Sequence, residues 1–234
     1  MIVNYELDGK VGVVTIDDGK ANAISHTVLQ ELHAALDQAQ AEAGSVLLIG
    51  RPGRFSAGFD LSVMTAGDEP MRELVIAGAQ LLMRLFTFPA PVVTACTGHA
   101  LAAGALVLLA SDHRIGAEGS FKIGLNEVAI GMSLPHFAIE LARYRMPPSQ
   151  LDSALLGEVF DPAGAVAAGY LDRTVPADAV IDEAKALATR YGDLRRGAVA
   201  RTKQVARGPL VEAVEARLVA DMTEVGAPPA AGQG

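Results

Sequence analysis

Residues 91–132, PVVTACTGHALAAGALVLLASDHRIGAEGSFKIGLNEVAIGM, decide how the chain is read. The stretch opens on a β-branched run, Val92-Val93-Thr94, and turns through Thr97-Gly98-His99. An apolar block over 100–110 follows, and its first half holds only Ala, Leu and Gly104. A helix that starts on such small residues lets a ligand come close to the backbone. Its first amides have no partner within the helix, and the dipole there favours negative charge. A block beginning at Ala102 or Ala103 is therefore suited to hold a developing oxyanion, although composition alone reads as well as a plain buried helix. Further on, Glu127 is the one carboxylate in the run Ile123-Gly124-Leu125-Asn126-Glu127-Val128-Ala129-Ile130. Such a residue either faces water from a loop or is desolvated, with its pKa raised towards the range where a carboxylate takes and returns a proton.

Working outward, the N-terminal side alternates strands with helices. Strand-like runs at 2–7 and 11–16 flank Asp8-Gly9, a hairpin signal. After a polar loop at 17–23, Ser25 suits the N-cap of a helix to about Glu42, with Leu29, Leu32 and Leu36 on one face. Residues 45–49 read as a buried strand, and Arg54 to Leu61, RFSAGFDL, as a glycine-containing turn at its end. Turns at strand ends are where α/β folds present backbone groups to ligands. Helical periodicity over 70–86 is broken by Pro89 and Pro91. Downstream, helices are expected from Pro135 to Tyr144, from Pro148 to Leu156 and from Asp161-Pro162 to Gly169. A brief strand at 171–175, an amphipathic helix at 178–191, a helix from Gly197 and a last one from Pro209 to about Val225 complete the pattern. The expected organisation is α/β, with a core over 1–190, a helical region over 191–225 and a disordered tail over 226–234.

Composition narrows the function. The chain has 234 residues, 50% hydrophobic and 20% charged, enough for one large packed domain. A formal charge of −8 without a basic stripe argues against nucleic acid as a partner, and means that an anionic ligand needs a local cluster of Lys and Arg. Cys96 is the single cysteine, which excludes a disulfide framework and reads as a small buried hydrophobe. No carboxylate or Cys stands at ligand spacing from His113 or His136, so no metal is expected. His99 either lines a cleft or packs in its turn, while Asp112 is expected to fix the turn ahead of His113. The N-terminus lacks a signal pattern and no apolar run is long enough to span a membrane, so a cytoplasmic protein is expected. No G-x-G-x-x-G follows an early strand, which disfavours a nucleotide-dependent oxidoreductase.

Taken together and in order, Phe55-Ser56-Ala57-Gly58-Phe59-Asp60-Leu61, then Thr97 to Arg114, then Asp161 to Pro176, resemble the crotonase (enoyl-CoA hydratase/isomerase) superfamily. The resemblance covers roughly residues 2–225. It implies a spiral of ββα units with C-terminal helices that build a homotrimer or a dimer of trimers. It also implies an acyl-CoA thioester as substrate, coenzyme A being part of that substrate, with no separate cofactor. By position, the oxyanion donors are the amides of Phe59 and Ala103. Ala103 stands where many members have glycine, with Gly104 beside it. Ala57, Gly58, Asp60 and Leu61 match positions along the CoA, and Lys20, Ala21 and Ala23 match the loop that shapes the nucleotide site. Lys203 resembles a helical lysine that can reach CoA phosphate from the same or a neighbouring subunit; Arg51 and Arg54 are further candidates. The family's first catalytic acid would sit at Leu106, which is inert, and its second matches Glu127. Gly124-Leu125-Asn126-Glu127 is similar to the Δ3,Δ2-enoyl-CoA isomerases that keep only this acid. Double-bond isomerisation is therefore expected. The alternatives are hydration with a second acid drawn from Asp60, Glu140 or Asp152, and acyl-CoA binding without turnover. Met64, Met71, Leu74, Leu81 and Leu134 are candidate walls for the acyl chain.

Overall fold

The computed structural model describes residues 1–225; the tail expected to be disordered, 226–234, lies outside them. The chain opens with the expected hairpin, β1 (Val3–Asp8) and β2 (Val11–Ile16), then a short β3 (Ala23–Ile24) and α1 (His26–Glu42). Ser25 caps α1, its hydroxyl accepting from Val28 N–H, and Leu29, Leu32 and Leu36 are buried.

Three turns of similar build follow. Each lays one strand in a large sheet, bends, lays a second in a small sheet, and returns through helix or turn. The first comprises β4 (Ser45–Ile49), β5 (Gly53–Ser56), β6 (Gly58–Phe59), α2 (Leu61–Met64) and α3 (Asp68–Phe86). The second comprises β7 (Val92–Cys96), β8 (Gly98–Leu101) and α4 (Ala103–Ala110). The third comprises β9 (His113–Ala117), β10 (Ile123–Gly124), a 3-10 turn at Val128–Ile130 and α5 (His136–Arg145). The chain then runs through α6 (Pro148–Leu155), α7 (Pro162–Ala168), β11 (Arg173–Val175), α8 (Val180–Gly192) and α9 (Arg196–Glu224).

The large sheet has the order β1-β2-β4-β7-β9-β11 and is parallel except for β1. β10-β8-β5 form a second, parallel sheet, and β3 pairs with β6 in a third. This is the spiral of ββα units that the resemblance implies. Burial of both faces explains why β4 and β7 read as unbroken apolar runs. Val46, Leu48 and Val92 face the main core, whereas Leu47, Ile49 and Val93 face α8. All eight residues of α4 are buried, so it is apolar all round.

Three expectations are corrected. The turn expected at Thr97-Gly98-His99 runs into a strand, Gly98–Leu101, central in the small sheet, while the helix starts at Ala103 as expected. The strand expected at 171–175 shortens to Arg173–Val175, with Tyr170 and Leu171 drawn into the core. The two helices expected after Gly197 are one, α9, with Pro209 inside it. Proline removes the hydrogen bond to the carbonyl one turn earlier, and Val205 there is 58% exposed, where water can serve that carbonyl. Asp112 fixes its turn as expected: one carboxylate oxygen accepts from Val92 N–H at 2.7 Å. No helix among the described residues is long and apolar enough to cross a membrane.

Candidate active site

The cavity at the centre of the site is built where β6 meets the start of α4. Gly58 has φ 98°, and a Cβ there would lie 2.8 Å from the Ala102 Cβ and 3.4 Å from the Ala103 nitrogen. A Cβ on Gly104 would lie 2.5 Å from the Ser56 carbonyl oxygen. These contacts bring the first turn of α4 against the strand that carries Phe59. In the β3–β6 ladder Asp60 N–H donates to the Ile24 carbonyl at 3.0 Å. Alternation then turns the Phe59 amide away from β3. The Phe59 ring packs on α3, where Gly78 leaves room for it. Ala103 is the first residue of α4, so its amide has no partner within the helix. The strain sits one residue earlier: Ala102, the N-cap, has φ 48° and ψ −123°. A non-glycine residue held there costs about 1–3 kcal/mol.

A cavity of about 760 Å³ opens beside Phe59 and Ala102, while Ala103 and Gly58 are buried just behind its walls. Its walls include Ala21, Ala23, Ala57, Phe59, Asp60 and Leu61, which the sequence had marked, together with Glu127. Ala102, marked as a possible helix start, is also a wall, whereas the sequence reading missed Asn126, Met132, Phe137 and Val225 as walls. Their spacing in the chain carries no signal, since α4, the loop after β10, α5 and the end of α9 meet only in three dimensions. Of the proposed acyl-chain walls only Met64 lines the cavity; Met71, Leu74 and Leu81 are core, and Leu134 packs against it.

Glu127 begins a tight turn, its carbonyl accepting from Ile130 and Met132 amides at 3.1 and 2.9 Å. Its Oε2 is buried without a hydrogen-bond partner among the described residues, as is the Oδ1 of Asn126. Burial pushes the Glu127 carboxyl up to about 7, only partly offset by its own amide. The other acid on the walls, Asp60, caps α2, its Oδ1 accepting from Ser62 N–H at 2.9 Å and Ser62 Oγ–H at 2.7 Å. Leu106 presents hydrocarbon to the cavity. Glu140 pairs with Arg143 at 2.7 Å on α5, and Asp152 is exposed on α6; neither reaches the walls.

The loop before β3 is held by Asn22 and Asp18. The Asn22 amide donates to the carbonyls of Ile16, Arg54 and Phe55 at 2.8–3.2 Å. Burial alone would raise the Asp18 carboxyl, but the amides of Asn22, Lys20 and Ala23, with Arg51 nearby, hold it below the usual range. Lys20 is exposed on this loop and Gly104 lies behind the wall, so neither lines the cavity. Lys203 is placed elsewhere: it is buried, with its amine 2.8 Å from Asp112 Oδ2 and 3.3 Å from the Ala90 carbonyl. His99 stands on β8 away from the cavity walls, edge-on to the Phe121 ring, its Nδ1 accepting from Lys122 N–H at 3.0 Å. Among the described residues, no group of three or more His, Cys, Asp or Glu could hold a metal ion.

The enoyl-CoA hydratase/isomerase family model matches residues 6–229. The chain belongs to the enoyl-CoA hydratase/isomerase family. A Bacillus subtilis protein named probable enoyl-CoA hydratase is 35% identical over 198 residues, 82% of this chain and 76% of its own length. Rattus norvegicus mitochondrial enoyl-CoA delta isomerase 1 is 30% identical over 198 residues, 82% of this chain and 68% of its own. Among solved structures, an enoyl-CoA hydratase/isomerase family protein from Pseudomonas syringae superposes with a TM-score of 0.93 at 42% identity, covering 95% of this chain and 97% of that one. Human mitochondrial Δ3-Δ2-enoyl-CoA isomerase gives 0.90 at 28% identity, covering 95% and 90%. The fold is thus the crotonase fold, and the enoyl-CoA hydratase/isomerase family is one of enzymes acting on enoyl-CoA thioesters. Relatives carry both hydratase and isomerase names, so similarity alone does not select the reaction.

Proposed function

We propose that the chain is an enoyl-CoA isomerase, moving a double bond between C3 and C2 of an acyl-CoA thioester. The observation that carries this reading is a lone, desolvated carboxylate, Glu127, in a cavity whose only other wall acid is engaged in capping a helix. In this mechanism the thioester oxygen accepts from the Phe59 and Ala103 amides, each worth about 2.7–4 kcal/mol on oxyanion-hole precedent. Glu127 removes a proton from C2, the charge moves to the thioester oxygen, and the same carboxyl returns the proton at C4. A pKa of about 7 favours both halves of that transfer near neutrality. The CoA moiety lies along Ala57–Leu61 and the Lys20–Ala23 loop, and needs no separate cofactor. The trimer implied by the family resemblance is part of this reading, with exposed Val219 on α9 available to be covered by a partner subunit.

Hydration is the second reading, favoured by Asn126: it lines the cavity next to Glu127 with an unpartnered buried oxygen, where a water can be held. Assaying 2-enoyl-CoA hydration and 3-enoyl-CoA isomerisation in one preparation separates the two. For the preferred reading, Glu127→Gln should lower 3-enoyl-CoA turnover by about 10²–10⁴-fold while acyl-CoA still binds. Near-normal turnover in that variant would remove Glu127 from the mechanism.

A further inference from the structure

The loop carrying Glu127 is braced from behind by the chain between α6 and β11. Ile123 and Phe160 exchange two main-chain hydrogen bonds, at 2.9 and 2.8 Å. A Cβ on Gly124 would lie 2.7 Å from the Glu158 carbonyl oxygen, so the two segments are in close contact. Deeper in, Tyr170 is fully buried just after α7, its ring centroid 5.9 Å from that of Phe160. Its Oη accepts from Leu125 N–H at 3.2 Å. The Gly124 carbonyl, the other end of the same peptide plane, accepts from Ala102 N–H at 3.0 Å. One rigid peptide unit is therefore held on one side by the residue that precedes the Ala103 amide, and on the other by the Tyr170 hydroxyl. Glu127 follows two residues on.

We propose that Tyr170 is a positioning residue: by fixing the Gly124–Leu125 peptide plane, its hydroxyl sets the distance between the Glu127 carboxyl and the Ala103 amide. The inference rests on the reading of Glu127 as proton carrier. Burial first, and the nearby Glu127 charge after it, push the Tyr170 phenol upward against the opposing Leu125 N–H bond, so the hydroxyl is neutral while its oxygen accepts that bond. Leu125 is itself fully buried, so its amide finds no water if the hydroxyl is removed. The peptide would then turn to seek a partner, opening the loop and rehydrating Glu127. Other titratable groups near the loop are Asp60 on the cavity wall, exposed Glu158 on the bracing segment, and His136 with Asp221 where α5 meets α9. None of them contributes to the raised pKa of Glu127, which comes from burial.

Tyr170→Phe keeps the ring and removes only the acceptor. Its kcat on 3-enoyl-CoA should fall about 10- to 10²-fold with KM little changed, because the reacting groups are misplaced and the CoA contacts are not. The acid limb of its kcat/KM profile should move to lower pH by one unit or more as Glu127 regains solvent. Phe160→Leu disturbs the same ring packing but leaves the hydroxyl in place, and should leave that limb where it is. Hydrogen exchange of the Leu125 amide in the unmodified protein needs no variant and no active acid; it should be as slow as that of Ile123. An unmoved limb in active Tyr170→Phe, an equal shift in Phe160→Leu, or rapid exchange at Leu125 each overturns the proposal. Failure of the Glu127 reading would show separately, as turnover surviving in Glu127→Gln.

Discussion

Glu127 carries a burial cost that can be measured without substrate. Its carboxyl sits at about 7 against an ordinary value of 4.5, with burial as the cause. Between those values the folded protein holds a proton that the unfolded chain has released, so stability falls as pH rises. The cost is absent below the lower value and complete above the upper, reaching about 3 kcal/mol. Glu127→Gln has no charge to bury. It should therefore be more stable than the parent at pH 8 and nearly equal to it at pH 4.5, as read by urea unfolding at the two values. At this scale the sequence was informative about Glu127, because a lone acid in an oily run has few explanations. It was silent about Asn126 and Tyr170. An asparagine beside an acid and a tyrosine after a helix are ordinary in sequence, and acquire meaning only from what they touch.

At the scale of elements, the site depends on how closely α4 lies on β5 and β6. The Ser56 carbonyl oxygen stands 2.5 Å from where a Cβ on Gly104 would be, and it belongs to the backbone, so it cannot swing aside. Gly104→Ala should lift the first turn of α4, costing about 1–3 kcal/mol by overpacking. Turnover should fall more steeply than stability, since the Ala103 amide moves with that turn; thermal melting and steady-state assay on one preparation check this. The elements themselves were largely legible: Ser25 and the leucine stripe give α1, and the apolar runs give β4 and β7. Strand β8 was not. Thr97-Gly98-His99 reads as a turn, and only pairing with β5 and β10 makes Gly98–Leu101 a strand. Pro209 misled in the opposite direction, because whether a proline ends a helix depends on whether the carbonyl it leaves unpaired meets solvent.

Across the whole molecule, Asp112 ties the end of α4 to α9. Its carboxylate is only 16% exposed and meets Lys203 at 2.8 Å and Arg207 at 2.6 Å, besides the Val92 amide. Asp112→Ala leaves buried Lys203 and half-buried Arg207 without their carboxylate and should cost about 3–5 kcal/mol, measurable by denaturant unfolding. This network also explains why the Lys203 amine is held at Asp112 and not at this chain's own cavity; the resemblance allowed it to serve a neighbouring subunit's CoA instead. A lysine's place in a helix does not tell which way its long side chain runs, and here a buried carboxylate takes the amine. What the sequence alone determined was the α/β class and an acid isolated in an apolar run, because periodicity and an isolated charge are local properties; the spiral of ββα turns and the family followed from ordered blocks that resemble the crotonase superfamily. What only the tertiary structure decided was which walls close the cavity, which polar groups are already spent, and what holds Glu127 in place. Those depend on distances between segments far apart in the chain, and these are fixed only when the core packs.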